Sequence, residues 1–245
     1  MRTVAIGFAL CLSLAACHSG STSIPPGSRG AGSPNAQARS PQSIQTYYST
    51  VKADSPLIYY RMNETSGTTA FDTSGHNYDA TYGSSVTLGG PSVVAGDAAP
   101  TFPGGTASSA KVLSSPANSA FALTGAMTVE FWVKVPSTVT SDTILYTQSF
   151  GNGNFGYPAY VALSGGSSPF FTLQIHTNGG DIATYPAPVL GASNHVVMTW
   201  TGTTLTGYVN GVSAGTATGT GPITNYASPY TGFSLGGPND PHTGF

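Results

Sequence analysis

In residues 128–135, Thr-Val-Glu-Phe-Trp-Val-Lys-Val, an aliphatic or Phe side chain stands at every second position, a period that fits a β-strand and not an amphipathic helix. Val129, Phe131, Val133 and Val135 take the core side. Thr128, Glu130, Trp132 and Lys134 take the other, which sets an aromatic among polar groups. Runs rich in Val, Ile, Thr, Tyr and Phe also occupy residues 57–63, 110–113, 143–149, 159–163, 170–177, 195–200, 205–209 and 232–235. With 32 glycines and 18 prolines in the sequence to break them, many short runs of this kind predict an all-β sandwich or barrel. At Asn210-Gly211 a tight hairpin is expected, because a type I′ turn needs positive φ at both central positions. Helical periodicity is confined to one turn near residues 44–52.

Residues 1–16 read as a leader: Arg2 supplies the charge, and Val4, Ala5, Ile6, Phe8, Ala9, Leu10, Cys11 and Leu12 the apolar stretch. Leu14-Ala15-Ala16-Cys17 resembles the lipobox of bacterial lipoproteins, which implies acylation of Cys17 and a membrane partner through that lipid. His18 after the cysteine resembles lipoproteins sent to an outer membrane, so the expected location is the cell envelope or cell surface of a bacterium. Residues 17–45, rich in Ser, Gly and Pro, cannot bury enough apolar area to offset their conformational entropy and read as a flexible tether. The folded domain is expected over residues 46–245. Cys11 departs with the leader, so Cys17 alone remains and no disulfide forms within the mature chain. Without the leader, six basic and nine acidic residues leave a charge of −3, which argues against a nucleic-acid partner. Charged residues make up only 7% of the sequence, so exposed surfaces must be rich in hydroxyls and amides.

Several stretches together resemble laminin G-like, concanavalin A-like domains. The matching residues are 53–70, then Asp72-Thr73-Ser74-Gly75-His76-Asn77, Thr128-Val129-Glu130-Phe131-Trp132-Val133, His195-Val196-Val197-Met198-Thr199-Trp200, and 205–211, in the family's order. The resemblance implies a jelly-roll sandwich of two antiparallel sheets, with a carbohydrate or an extracellular protein as ligand. Tyr60 and Asn194 stand where the family usually has Trp, and both are expected at the core's edge. The family closes with a strand that pairs beside the first one, here residues 57–63. That strand is expected to be missing, and an unpaired apolar edge invites a strand-donating partner.

Candidate sites follow from residue chemistry. Asp72, Asn77 and Asp79 gather oxygen donors in one loop, the setting Ca2+ prefers, while an Asx turn uses the same residues. Phe150-Gly151-Asn152-Gly153-Asn154-Phe155-Gly156-Tyr157 offers aromatic faces and amides to a sugar, with Asn152, Asn154, Phe155 and Tyr157 as contacts; capping of the sandwich explains the aromatics as well. Tyr185, Tyr226 and Tyr230 lie on further loops.

No catalytic residue is assigned. Glu64 and Glu130 are the only glutamates, and neither stands in the Glu-x-Asp-x-x-Glu pattern of the fold's glucanases. Gln174-Ile175-His176 resembles a strand motif of alginate lyases, but the accompanying Arg–Glu and Lys–Tyr strands have no counterpart. The expectation is a non-catalytic envelope lipoprotein with a carbohydrate- or protein-binding module. The alternatives are a polysaccharide lyase or glycoside hydrolase of this fold, or a domain completed by a partner's strand.

Overall fold

The computed structural model describes residues 4–5, 10–13, 44–103, 113–148, 158–224 and 232–237. The first strands are Val4–Ala5 (β1), Leu10–Ser13 (β2), Ile58–Tyr60 (β3), Thr69–Ala70 (β4), Ala80–Tyr82 (β5), Thr87–Pro91 (β6) and Ala98–Phe102 (β7). Leu113–Ser114 (β8), Met127–Lys134 (β9), Thr143–Gln148 (β10), Ala159–Ser164 (β11), Phe170–Thr177 (β12) and Gly180–Thr184 (β13) follow. Ser193–Trp200 (β14), Thr204–Val209 (β15), Val212–Thr218 (β16) and Phe233–Leu235 (β17) complete the order, and one α-helix, Ile44–Ala53 (α1), precedes β3.

Two antiparallel sheets form a jelly-roll sandwich. The larger runs β13-β12-β11-β10-β17-β8-β5-β4, the smaller β16-β15-β14-β9-β2-β3, and β1-β7-β6 make a third, three-stranded sheet. In β9 the alternation read from the sequence is realised: Val129, Phe131 and Val133, with Val135 just beyond the strand, are fully buried, while Glu130 and Trp132 are half-buried. From the facing sheet Val161, Leu163, Phe171, Leu173 and Ile175 join the same core. Phe233 ties the layers together, with its ring 5.5 Å from Phe121 and 5.9 Å from Tyr60. Asn210 (φ 54°) and Gly211 (φ 79°) make the expected hairpin between β15 and β16.

Where the fold departs from the sequence reading, tertiary packing decides. α1 is a full helix rather than a single turn, and it packs Tyr47, Tyr48 and Val51 on Tyr59. So short a helix owes its stability to that docking, not to propensity. β16, the second arm of that hairpin, runs on to Thr218 although Val212, Ser213 and Ala214 are all exposed and carry no alternation. Tyr60 and Asn194 lie inside the core rather than at its edge, both with no exposure. Asn194 is tolerated because its amide accepts from Val189 N (2.8 Å) and donates to the carbonyls of Val189 and Ala192.

Candidate functional site

The loop after β4 holds Asp72, Asn77 and Asp79, the three candidate calcium ligands. Asp72 is buried, and its Oδ1 accepts from the amides of Tyr59 (3.0 Å) and Ser74 (2.9 Å). Its Oδ2 accepts from the Ser74 hydroxyl (2.7 Å) and the Tyr78 amide (3.0 Å). Asp79 Oδ1 accepts from the Asp72 amide, and Asn77 sits in the left-handed region at φ 60°. These are the bonds of an Asx turn fastened to β3. A cation is already present in the loop: the Lys52 ammonium, at the end of α1, donates to the carbonyl oxygens of Thr73 and Ser74. Both Asp72 carboxylate oxygens and Asp79 Oδ1 thus accept from protein donors. Among the described residues, no group of three or more His, Cys, Asp or Glu could hold a metal ion.

The larger sheet presents a second constellation on its outward face. Successive registers align Thr69, Thr81, Ser114, Ser234, Thr147, Tyr160, Gln174 and Ala183 in one row across all eight strands. At about 4.8 Å per strand the row is about 34 Å long. Its middle, Ser234 and Thr147, is buried; its β11–β13 end is partly open. There Tyr160 donates its hydroxyl to Gln174 Oε1 at 3.0 Å, and His176 Nδ1 pairs with Asp181 across β12 and β13. Burial first, then the nearby Tyr185 and Asp181, push the Tyr160 pKa up, so its phenol keeps its proton. Phe170 meets Tyr185 edge-on at 5.7 Å, and Tyr185 is 62% exposed. This end thus offers an aromatic face, an amide, a phenol and a His–Asp pair. The described basic residues all lie elsewhere: Lys52 on the Asp72 loop, Arg61 against Asp97 (2.9 Å), Lys134 on β9.

Of the residues singled out in the sequence, Gln174 and His176 belong to this face, and Tyr185 adjoins it. Tyr160 and Asp181 were missed, because only strand register brings them there. Asn152, Asn154, Phe155 and Tyr157 lie outside the described residues, as do Cys17, Tyr226 and Tyr230. The segment carrying the four joins Gln148 to Pro158, and Pro158 accepts the His176 amide at 2.9 Å. Glu64 accepts from the Phe71 amide (3.0 Å) and the Tyr82 hydroxyl (2.8 Å). Glu130 bonds His195 Nε2 at 2.8 Å on the smaller sheet, where the His195 ring stacks on Trp132 at 4.8 Å. The two glutamates thus serve separate clusters.

Two antiparallel sheets sharing one core, with a side-chain lane on the outward face of the larger, define a laminin G-like jelly-roll domain. The chain belongs to the concanavalin A-like lectin/glucanases superfamily: its Laminin_G_3 family model matches residues 104–245. No curated protein matches the chain in sequence. Among solved structures, domain 4 of an extracellular arabinanase from Geobacillus stearothermophilus is 14% identical, with 68% of this chain and 77% of that one covered at a TM-score of 0.45. The Trypanosoma rangeli sialidase is 15% identical over 74% of this chain and 27% of its own, TM-score 0.48. An alginate lyase from Alteromonas sp.272 is 13% identical over 51% of this chain, TM-score 0.36; the chain spans 57% of that lyase's length.

Proposed function

We propose that the protein is a non-catalytic binding module, held at a bacterial cell envelope by a lipid on Cys17, that takes a neutral glycan on the outward face of β11, β12 and β13. The observation that carries this reading is the Tyr160–Gln174 pair, flanked by Phe170 and the exposed Tyr185. Aromatic faces suit the C–H surfaces of a sugar ring, and amide and phenol groups suit its hydroxyls. Neutral sugars are favoured over uronates because Asp181 is the charged residue of this end and no described Lys or Arg accompanies it. Profiling the processed protein on a glycan array tests the reading. Gln174→Ala and Tyr185→Ala should each weaken the best neutral ligand about ten-fold, a loss of about 1.4 kcal/mol, with unchanged melting temperature. An array without neutral ligands rejects it. Loss of palmitate labelling in Cys17→Ser tests the anchor separately.

A second reading, a polysaccharide lyase, has one observation in its favour. Gln174, His176 and the Tyr160 hydroxyl stand on one sheet face. Unsaturated uronate released from alginate, and abolished by His176→Ala, would select that reading.

A further inference from the structure

On the outward face of β13, the edge strand of the larger sheet, Ala183 is a low point between larger side chains. Gln174 stands directly across from it on β12, about 5 Å away. Asp181 and Tyr185 lie two residues to either side, about 6.8 Å along the chain. The Phe171 amide donates to the Pro186 carbonyl at 2.7 Å, which keeps the backbone beside β12 past Tyr185. Tyr185 and Asp181 both act on the Tyr160 phenol, after burial, so the three groups gather round one spot. Three different chemistries therefore border one small residue. Tyr160 donates to Gln174 Oε1, so the donor that Gln174 offers is its Nε2. The Asp181 side chain, 58% exposed, is an acceptor, and His176 Nδ1 holds it against β12. Tyr185, edge-on to Phe170, supplies the apolar surface.

We propose that this face selects sugars that carry an acetamido group, and that the group seats over Ala183. The inference rests on the neutral-glycan reading of the same face and narrows it. An acetamide joins an acceptor, a donor and a methyl in one plane. Its carbonyl oxygen accepts from Gln174 Nε2, its N–H donates to Asp181, and its methyl meets the Tyr185 ring. Held between two hydrogen bonds of about 2.9 Å, an amide spans about 8 Å from partner to partner. Gln174 and Asp181 stand at diagonal positions of the β12–β13 pair, about 7–8 Å apart, which suits that span. A hydroxyl on the same ring carbon brings one polar centre and no methyl, so it serves one partner and leaves Tyr185 uncovered. An ammonium there pairs with Asp181 but leaves the Gln174 donor without an acceptor, which costs binding. A larger residue in place of Ala183 would fill the space the group needs.

Calorimetry of the processed protein tests this with tetramers of N-acetylglucosamine, glucose and glucosamine in one linkage, and with N-acetylgalactosamine against galactose for the other ring configuration. In at least one series the acetylated sugar should bind about ten-fold tighter than its hydroxyl counterpart. Gln174→Glu keeps the shape of the side chain but turns its donor into an acceptor. It should bring the two sugars within about two-fold of each other, at an unchanged melting temperature. Magnetisation transferred from aromatic protons of the parent protein should appear most strongly on the acetyl methyl, a readout that needs no variant. Equal binding of acetylated and hydroxyl sugars, a preference that Gln174→Glu leaves unmoved, or a methyl that receives no magnetisation overturns the proposal. Equal binding overturns the selectivity alone, since a neutral glycan is then still bound. Tighter binding of the glucosamine tetramer overturns the neutral-glycan reading as well. Binding of none of these sugars overturns the acetamido proposal, and the glycan array decides the broader reading by itself.

Discussion

The Tyr160 hydroxyl donates to Gln174 Oε1 across β11 and β12, and so ties the Gln174 side chain to its neighbour at the partly open end of the row. Tyr160→Phe removes this bond and leaves the ring in place. Because the pair is half-buried, the cost to stability should be about 0.5–1.5 kcal/mol. The cost to binding should be larger in proportion: affinity for the neutral glycan is expected to fall several-fold by calorimetry, while circular dichroism stays unchanged.

Lys52 occupies the carbonyl fork of Thr73 and Ser74, so the Asp72 loop carries its own cation. Lys52→Met should destabilise by about 1–2 kcal/mol, because two carbonyls lose a charged donor. Millimolar calcium should leave the melting temperature of the parent protein unmoved and raise that of the Lys52→Met variant. Calcium stabilisation of the parent protein, measured by scanning fluorimetry, would show that the ion displaces Lys52.

Gly207 faces the opposite sheet from the middle of β15, where a β-carbon would lie 2.6 Å from Leu173 Cδ1 and 2.7 Å from Thr184 Oγ1. The two layers therefore close on each other at a position without a side chain. Gly207→Val should overpack this contact and cost about 3 kcal/mol, read from the denaturant midpoint. Thr206→Val, on the other side of the same strand, should cost under about 1 kcal/mol.

The sequence made β9, β12 and the Asn210–Gly211 hairpin legible because each carries its own local period or turn chemistry. The full extent of α1 and of β16 was less legible: α1 depends on Tyr59, and β16 is an exposed edge strand signalled only by its turn. The candidate face was legible only in part. Gln174 and His176 stood out as a tripeptide, but Asp181 joins His176 through the β12–β13 register, and Tyr160 joins Gln174 through β11. Residues 10–13 show the limit most sharply, since an apolar run suits a leader and a central strand equally well.

Three buried phenols give the domain an alkaline limit. Desolvation chiefly, and then Asp72 and Asp79, hold the Tyr60 pKa far above its ordinary value; desolvation and Glu64, which accepts the Tyr82 hydroxyl, do the same for Tyr82; burial raises Tyr146. In the unfolded chain these phenols ionise near pH 10, whereas in the folded one they remain protonated. Below pH 10 both states hold the proton and the contribution of these groups to stability is fully present. Above it the unfolded state gains by ionising, so stability falls with a slope of up to about 1.4 kcal/mol per pH unit for each phenol. Alkaline titration should therefore show the absorbance of these three tyrosinates rising together with loss of the far-ultraviolet β signal. In Tyr82→Phe the unfolding stage should shift to higher pH, because one proton fewer is released on unfolding. A single smooth titration with the β signal intact would show that these phenols reach solvent in the folded state.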